Sequence, residues 1–400
     1  MAMLSRNIPR CILFSILALS LPDFSFVQAE TAQGPATAVE PDVPAAKANY
    51  LRKLAEYEEA RQQFEAIAQP YWSSIAEKRK DRVAKRRAGE PISLPDYVLD
   101  QPPVYQGPQR PVDPFPEAQQ TPAPQQKPIP VVADFVRNAA AEYGFVPERP
   151  KTEIDFKRAY ARFAASAGIT KQQAVRIYGF ESGGNGKYDV QAGLEYDIPG
   201  AHAISTALGY NQLLNTNSVE LLAEQGDRFL GLLSAKGGTL SGNAKVAFDA
   251  KVEILKTMIA FSRTVPDDWS EHERLAATPK GLAIHSLNLD IDLGPMLQTQ
   301  KLLDSVLFAK RKGKTEPLTA AELEMMNLTG DGNGYDMISL PDAMRPSVPT
   351  SNFFQRAGYE RNGVAIRNNT VQQLILATDS KMDKETELQG AKDLATSFSN

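Results

Sequence analysis

A proline-dense segment divides this chain of 400 residues. Between residues 90 and 130 prolines recur every few positions, as in QPPVYQGPQRPVDPFPEAQQTPAPQQKPIP. Proline fixes φ and lacks an amide hydrogen, so this segment can form neither a helix nor a central strand. Its composition predicts a semi-rigid extended linker in which Tyr105 and Phe115 could pack on a domain surface. We therefore expect separate structural units before and after it.

The first 29 residues are typical of a secretory signal peptide. Arg6 and Arg10 supply the positive region, residues 11–21 the apolar region, and residues 27–29 a small-x-small cleavage site. The apolar run is too short to span a bilayer as a permanent anchor. The sequence therefore predicts export, with the periplasm as the expected compartment.

Cysteine, charge and histidine content argue against several classes of function. The only cysteine, Cys11, precedes most of the apolar region, so we do not expect a lipoprotein, and the mature chain needs no disulfide. The net charge of −4 gives no reason to expect a nucleic-acid partner. The three histidines show no metal-ligand spacing: His202, His272 and His285. We expect neither a metal nor another cofactor.

The part before the linker is predicted to be a helical arm. Residues 30–46 are rich in Ala, Pro and Glu and are predicted to be disordered. A helical pattern runs from residue 47 to residue 89, with a break or kink expected at Pro70. It ends in a basic cluster, residues 78–87, which could bind an anionic surface or a protein partner. The alternative is a solvated helix end, where the helix dipole favours cations.

Helical periodicity dominates residues 131–380, the predicted globular domain. Asn217 or Ser218 is predicted to cap a helix that runs to Glu224, with Gly226 just past its end. Strand signals are sparse, so the predicted fold class is mainly α. Residues 381–400 are predicted to be a polar, frayed tail. The other helical patterns cover residues 131–143, 153–165, 171–181, 244–263, 270–276, 296–310 and 319–329.

One of these helices places a carboxylate on its apolar face. Thr170 is predicted to cap it, with Gln173 completing a T-x-x-Q capping box. The inward stripe continues to Glu181, and Gly183 with Gly184 ends the helix. Burial would raise the pKa of such a glutamate and suit it to general acid catalysis. The alternative is a polar helix end that reaches water. The apolar members of the stripe are Ala174, Ile177 and Tyr178.

Three short motifs follow one another along the chain: Glu181-Ser182, TALGYNQ at residues 206–212 and MMNLTGDGN at residues 325–333. They resemble those of the soluble (SLT-type) lytic transglycosylases, a lysozyme-like family. Glu181-Ser182 matches the family's catalytic E-S, and residues 206–212, TALGYNQ, resemble its G-A-x-G-L-M-Q turn. Residues 325–333, MMNLTGDGN, resemble its A-Y-N-A-G-x-G-N motif. Relative to the family, Thr206 replaces a glycine and Met326 a tyrosine. Residues 183–203 resemble an insertion between the first two motifs.

The resemblance implies a lysozyme-like helical domain that cleaves peptidoglycan glycan strands. The implied reaction breaks the β-1,4 bond between N-acetylmuramic acid and N-acetylglucosamine, with Glu181 as acid and then base. By the same resemblance, Gln212 and Asn327 would contact the sugar. Ser182 would contact substrate or orient the carboxyl, or else cap the helix. Tyr210 would offer a stacking face, or else be a buried structural aromatic.

Two other functions remain open from the sequence. A hydrolysing muramidase would need a second carboxylate to position water, and the candidates are Asp189, Glu195 and Asp197 in the insert. A non-catalytic cell-wall-binding or scaffold protein would instead use the arm and the linker.

Overall fold

This computed structural model describes residues 43–114, 128–196 and 198–398. In these residues the regular secondary structure is helical, apart from isolated β-bridges. The predicted signal peptide, the first part of the segment predicted to be disordered, Phe115 and Asp197 lie outside these residues. The mainly α prediction is confirmed. The helices are α1 Val43–Ala88, α2 Val132–Tyr143, α3 Glu153–Ala167, α4 Lys171–Ser182, α5 Asn215–Gly237, α6 Gly242–Ser262, α7 Trp269–Ala276, α8 Pro279–His285, α9 Leu293–Arg311, α10 Ala320–Thr329, α11 Asp331–Ile338, α12 Arg356–Arg361, α13 Gly363–Arg367, α14 Val371–Thr386 and α15 Gln389–Ser397.

The described residues fall into two compact units. The larger unit comprises residues 129–346 and 353–398, and the smaller unit comprises residues 43–114, 128 and 347–352. No helix among the described residues has the length and apolarity needed to cross a membrane.

In the smaller unit, α1 continues through Pro70 without the predicted break. Part of the proline-rich segment lies along this helix. The Tyr71 hydroxyl donates to the Asp100 carbonyl (3.0 Å), and the ring of Tyr105 packs edge-on to that of Phe64 (5.4 Å). The predicted boundary at residue 90 therefore falls inside one unit, because the segment uses its aromatic and carbonyl groups to bind α1.

Several basic residues of the 78–87 cluster hold this unit together. Arg82 is fully buried, with its guanidinium 4.3 Å from the ring centroid of Tyr97 and one nitrogen 3.0 Å from the Asp96 carbonyl oxygen. Lys85 forms an ion pair with Asp96 (2.6 Å). Arg79 donates to the carbonyl of Asn352 (3.1 Å). Arg79 and Arg82 thus donate to backbone carbonyls, whereas Lys85 pairs with a carboxylate.

One buried apolar cluster of the larger unit is built mainly by α5 to α9. Its buried residues include Phe229, Leu255, Leu275, Ile284 and Leu297, one from each helix. The predicted end of α5 at Glu224 is wrong. The helix runs on to Gly237, and Gly226 lies inside it facing Ile259 of α6. This glycine marks a close approach of two helices rather than a helix end.

The predicted polar tail is also wrong. Residues 371–397 form α14 and α15, and Met382, Ala391 and Leu394 are fully buried. Helix α15 packs against α3 and α4. The predicted domain end at residue 380 is therefore too early, because three well-spaced apolar side chains suffice to dock this polar stretch.

Candidate active site

Helix α4 forms as its sequence predicts. The Thr170 hydroxyl accepts from the Gln173 amide (3.2 Å), and the Gln173 side chain accepts from the Thr170 amide (2.9 Å), which confirms the capping box. Gly183, at φ +70°, ends the helix in the left-handed region. Glu181 lies on the buried face, and 9% of its surface remains accessible to solvent. The carboxyl group therefore sits at the inner end of the helix, as expected.

Asn327 of α10 meets this carboxyl group. Its side-chain nitrogen donates to Oε1 of Glu181 at 2.8 Å, across 146 residues of chain. The Thr319 hydroxyl accepts from the Glu322 amide (3.1 Å) and caps the first turn of α10. The structure thus brings together two residues that the sequence predicted for one site.

A second carboxyl group, not predicted from the sequence, belongs to the same site. Glu324 lies three residues before Asn327, on the same face of α10, and is fully buried. Burial raises its pKa well above the usual range for glutamate, and the adjacent Glu181 raises this pKa further. The sequence signal for Glu324 was the spacing E-x-x-N, which ends at the asparagine of the third motif. On a helix this spacing puts the side chains of Glu324 and Asn327 on one face, so both can lie beside Glu181.

The hydrogen bonding of Glu324 depends on its protonation. Neither of its buried oxygens makes a hydrogen bond of ordinary geometry, although the Asn327 side chain lies near enough to lower the pKa of Glu324. A proton on Glu324 supplies a donor toward Glu181, since two ionised carboxylates can only accept. The two groups therefore form a carboxyl pair that favours retention of a proton.

Helix α14 adds a cation to the site. Lys381 Nζ lies 4.8 Å from the ring centroid of Phe180, the residue that precedes Glu181. Its charge lowers the pKa of Glu324, an effect smaller than those of burial and Glu181. The site is thus built by α4, α10 and α14, which pack on one another.

The second motif forms a tight turn that closes on itself. The amide of Leu208 donates to the Leu213 carbonyl (2.9 Å), and that of Leu213 to the Leu208 carbonyl (3.1 Å). Gly209 has φ +85°, and a Cβ there would lie 2.5 Å from Gln298 Nε2. Gln212 has φ +44°, in a region that non-glycine residues rarely adopt. Such backbone persists only where its surroundings fix it.

The insert, residues 183–203, binds to this turn. The amide of Gly209 donates to the Val190 carbonyl (2.9 Å), and that of Ala192 to the Ala207 carbonyl (3.0 Å). The Gln212 side chain donates to the carbonyls of Gly209 (2.8 Å) and Val190 (3.2 Å). These bonds tie Gln212 to the turn and the insert, whereas Glu181 is bound by Asn327.

A fully satisfied polar network holds the start of the turn. Ser218 Oγ and His285 Nδ1 are 2.8 Å apart, and His285 Nε2 lies 2.8 Å from the Thr206 carbonyl oxygen. Asn288 donates to the Ser218 hydroxyl (2.9 Å). A neutral imidazole that donates to Thr206 and accepts from Ser218 satisfies every bond. Burial lowers the pKa of His285 to about 4. This Ser–His pair fixes the position of a backbone carbonyl.

Tyr210 and Ser182 have structural partners. Tyr210 is fully buried, with ring centroids 4.6 Å from Tyr178 and 5.2 Å from Phe156, and its hydroxyl donates to Glu153. It therefore presents no face to a sugar and is the buried aromatic of the stated alternative. The Ser182 hydroxyl donates to the Tyr178 carbonyl one turn earlier (2.5 Å), so it bonds back onto its own helix.

The insert carboxylates differ in environment. Asp189 forms an ion pair with Arg149 (3.3 Å), and Glu195 is exposed. Among the described residues, no group of three or more His, Cys, Asp or Glu side chains has a metal-binding arrangement.

No protein-family model, curated protein or solved structure matches this chain. The resemblance to the lytic transglycosylases therefore depends on the motifs and on the geometry of the residues that carry them.

Proposed function

We propose that the protein is an exported, periplasmic lytic transglycosylase with a lysozyme-like domain. One observation carries the proposal: Glu181 ends a buried helix face, retains slight exposure and accepts a hydrogen bond from Asn327. A carboxyl group in this setting suits a general acid that later becomes a base. The glycine-containing turn and the insert, with Gln212 between them, supply the proposed sugar contacts.

In the proposed reaction, Glu181 gives its proton to the glycosidic oxygen as the bond from that oxygen to C1 of N-acetylmuramic acid breaks. The positive charge that develops at C1 and the ring oxygen is stabilised by the Glu181 carboxylate. The 6-hydroxyl of the same sugar then attacks C1, and Glu181 accepts the hydroxyl proton. The products are a 1,6-anhydro end and a free 4-hydroxyl, and no water is consumed.

The carboxylate environments favour this reaction over hydrolysis. A hydrolase needs a second carboxylate separated from the acid by the sugar, so that a water molecule fits between carboxylate and C1. Asp189 is held by Arg149, and Glu324 is buried directly beside Glu181. Neither carboxylate matches that arrangement, and Glu195, the exposed candidate, is tested by substitution.

Digestion of purified peptidoglycan tests the proposal. The wild-type protein should release anhydro-muropeptides, identified by mass spectrometry, and Glu181→Gln should lower the rate by about 100-fold or more because it removes the proton donor. Glu195→Gln is the matched control, since this insert carboxylate is exposed, and it should retain the wild-type rate.

Two results would overturn the proposal. Products with reducing ends alone would identify a hydrolase. Peptidoglycan that binds the protein but stays intact would identify a non-catalytic cell-wall protein, which could use the basic residues 78–87 or the proposed sugar contacts.

A further inference from the structure

We propose that Glu324 is a positioning residue that stays protonated through the reaction and donates a hydrogen bond to Glu181. This inference rests on the proposed function of Glu181. In the cycle the Glu324 proton does not move to substrate, and only the proton of Glu181 is transferred.

Helix α10 can direct two side chains toward Glu181. Glu324 and Asn327 are separated by three residues and lie on the same face of the helix. Asn327 already donates to Oε1 of Glu181 at 2.8 Å. A protonated Glu324 would give Glu181 a second donor from the same rigid helix. Two donors on one carboxyl group fix its orientation more closely than one donor does.

Burial and nearby charged groups determine whether Glu324 keeps its proton. Glu324 is fully buried, and neither of its oxygens makes a hydrogen bond of ordinary geometry. The charged groups that act on it are Glu181 from α4 and Lys381 from α14. Burial has the largest effect on the pKa of Glu324 and raises it, and the charge of Glu181 raises it further once Glu181 has given up its proton. These effects exceed the lowering of this pKa by the Asn327 side chain and by Lys381. A neutral carboxyl group is thus the favoured form of Glu324.

The consequence for catalysis concerns the carboxylate that Glu181 becomes after it protonates the leaving oxygen. This group is nearly buried, and an ionised carboxylate in such a place needs donors. The Glu324 proton and the Asn327 amide would supply them. They would therefore favour proton delivery and hold the carboxylate in place to accept the proton of the 6-hydroxyl.

Two substitutions distinguish a neutral donor from an ionised catalytic carboxylate. Glu324→Gln keeps a donor of similar size, and its rate on peptidoglycan should stay within about threefold of wild type. Glu324→Leu cannot donate, and its rate should fall about 10- to 100-fold, the size expected for a lost hydrogen bond to a charged group. Activity should decline on the alkaline side when Glu181 loses its proton. This decline should move to higher pH in Glu324→Leu, because the Glu181 carboxylate loses a stabilising donor. Glu324→Met provides a second apolar variant if Glu324→Leu does not fold.

An activity-independent measurement uses full-length protein labelled with carboxyl-13C glutamate. The Glu324 resonance, assigned by its loss in Glu324→Gln, should keep the shift of a protonated carboxyl at neutral pH. A Glu324 resonance that is ionised at neutral pH would overturn the inference. So would a Glu324→Gln variant as inactive as Glu181→Gln, or wild-type rates in all three Glu324 variants. If wild-type protein does not cleave peptidoglycan while the resonance stays protonated, the proposed function fails and the hydrogen-bonded pair stands.

Discussion

His285 illustrates how a single buried side chain sets the position of the turn that carries Gln212. Its two nitrogens bond to Ser218 and to the Thr206 carbonyl, where the second motif begins. The imidazole can meet both partners only while neutral, because a protonated ring has no acceptor. Burial also favours the neutral imidazole, since it lowers the pKa of His285 to about 4. Protonation of this residue should therefore oppose folding.

The sign of the pH dependence follows from the two pKa values of His285. The folded value, about 4, lies below the ordinary value of 6.5. The unfolded chain therefore binds more protons between these values, and stability present above 6.5 is lost as pH falls toward 4. The loss should reach about 3 kcal/mol. Asp304, whose pKa burial raises to about 6, acts in the opposite direction over an overlapping range.

A difference between variants isolates the histidine. His285→Gln should be less stable than wild type at neutral pH, because it disrupts the buried network, and should lose less stability on acidification. His202 is exposed, so His202→Gln should keep the wild-type slope. Urea unfolding of the three proteins between the two pKa values measures this slope. Identical slopes in wild type and His285→Gln would show that His285 is not the titrating group.

At the scale of helices, two glycines of α5 allow the effect of packing on stability to be measured apart from the effect of helix propensity. A Cβ on Gly226 would lie 2.7 Å from a side-chain carbon of Ile259, whereas nothing lies within 4 Å of a Cβ on Gly231. Both substitutions to alanine favour the helix by about 1 kcal/mol. Only the first also forces α5 and α6 apart or shifts Ile259.

We expect opposite signs for the two alanine variants. Gly231→Ala should stabilise the protein by about 0.5–1 kcal/mol, and Gly226→Ala should destabilise it by about 1–2 kcal/mol after the gain in propensity is subtracted. Chemical denaturation measures both values. A stabilised Gly226→Ala would mean that Ile259 adjusts freely and that the two helices do not require the glycine.

The close packing beside Glu181 depends on another glycine. Gly184 has φ +68°, and a Cβ there would lie 2.6 Å from the Glu385 carbonyl oxygen. The turn that ends α4 therefore fits against the junction of α14 and α15 only because the residue has no side chain. These C-terminal helices thus contribute to the candidate site through both Lys381 and this contact.

At the scale of the whole molecule, residues 347–352 belong to the smaller unit although the flanking residues belong to the larger one. Asn352 is fully buried in the smaller unit. Its side chain accepts from the Val98 amide (3.0 Å) and donates to the Val98 carbonyl (2.8 Å). The smaller unit is therefore completed by a segment distant in sequence.

Asn352→Ala should destabilise the smaller unit by about 2–4 kcal/mol, because two buried backbone groups of Val98 lose their partners. Hydrogen exchange of amides in residues 94–100 should accelerate accordingly. Asn49→Ala provides the control, since Asn49 is exposed on α1 and its loss should change stability by less than about 0.5 kcal/mol. Equal exchange in both variants would contradict the role of Asn352.

The sequence by itself determined the local structure of this protein. The spacing of apolar residues, the capping box of α4 and the scarcity of strand signals predicted a mainly helical chain, with Glu181 at a buried helix end. These features depend on residues three or four positions apart, so they can be read without the fold. Tertiary packing reversed two such predictions, because Gly226 and the polar C-terminal residues are governed by distant neighbours.

Only the tertiary structure decided which side chains meet. It joined Asn327 to Glu181, placed the unpredicted Glu324 beside them, buried Tyr210 among aromatic rings and bound Gln212 to the insert. Each of these contacts joins residues from separate parts of the chain. They depend on how whole helices and loops pack, and the free energy of that packing is shared among many side chains rather than encoded in any local pattern.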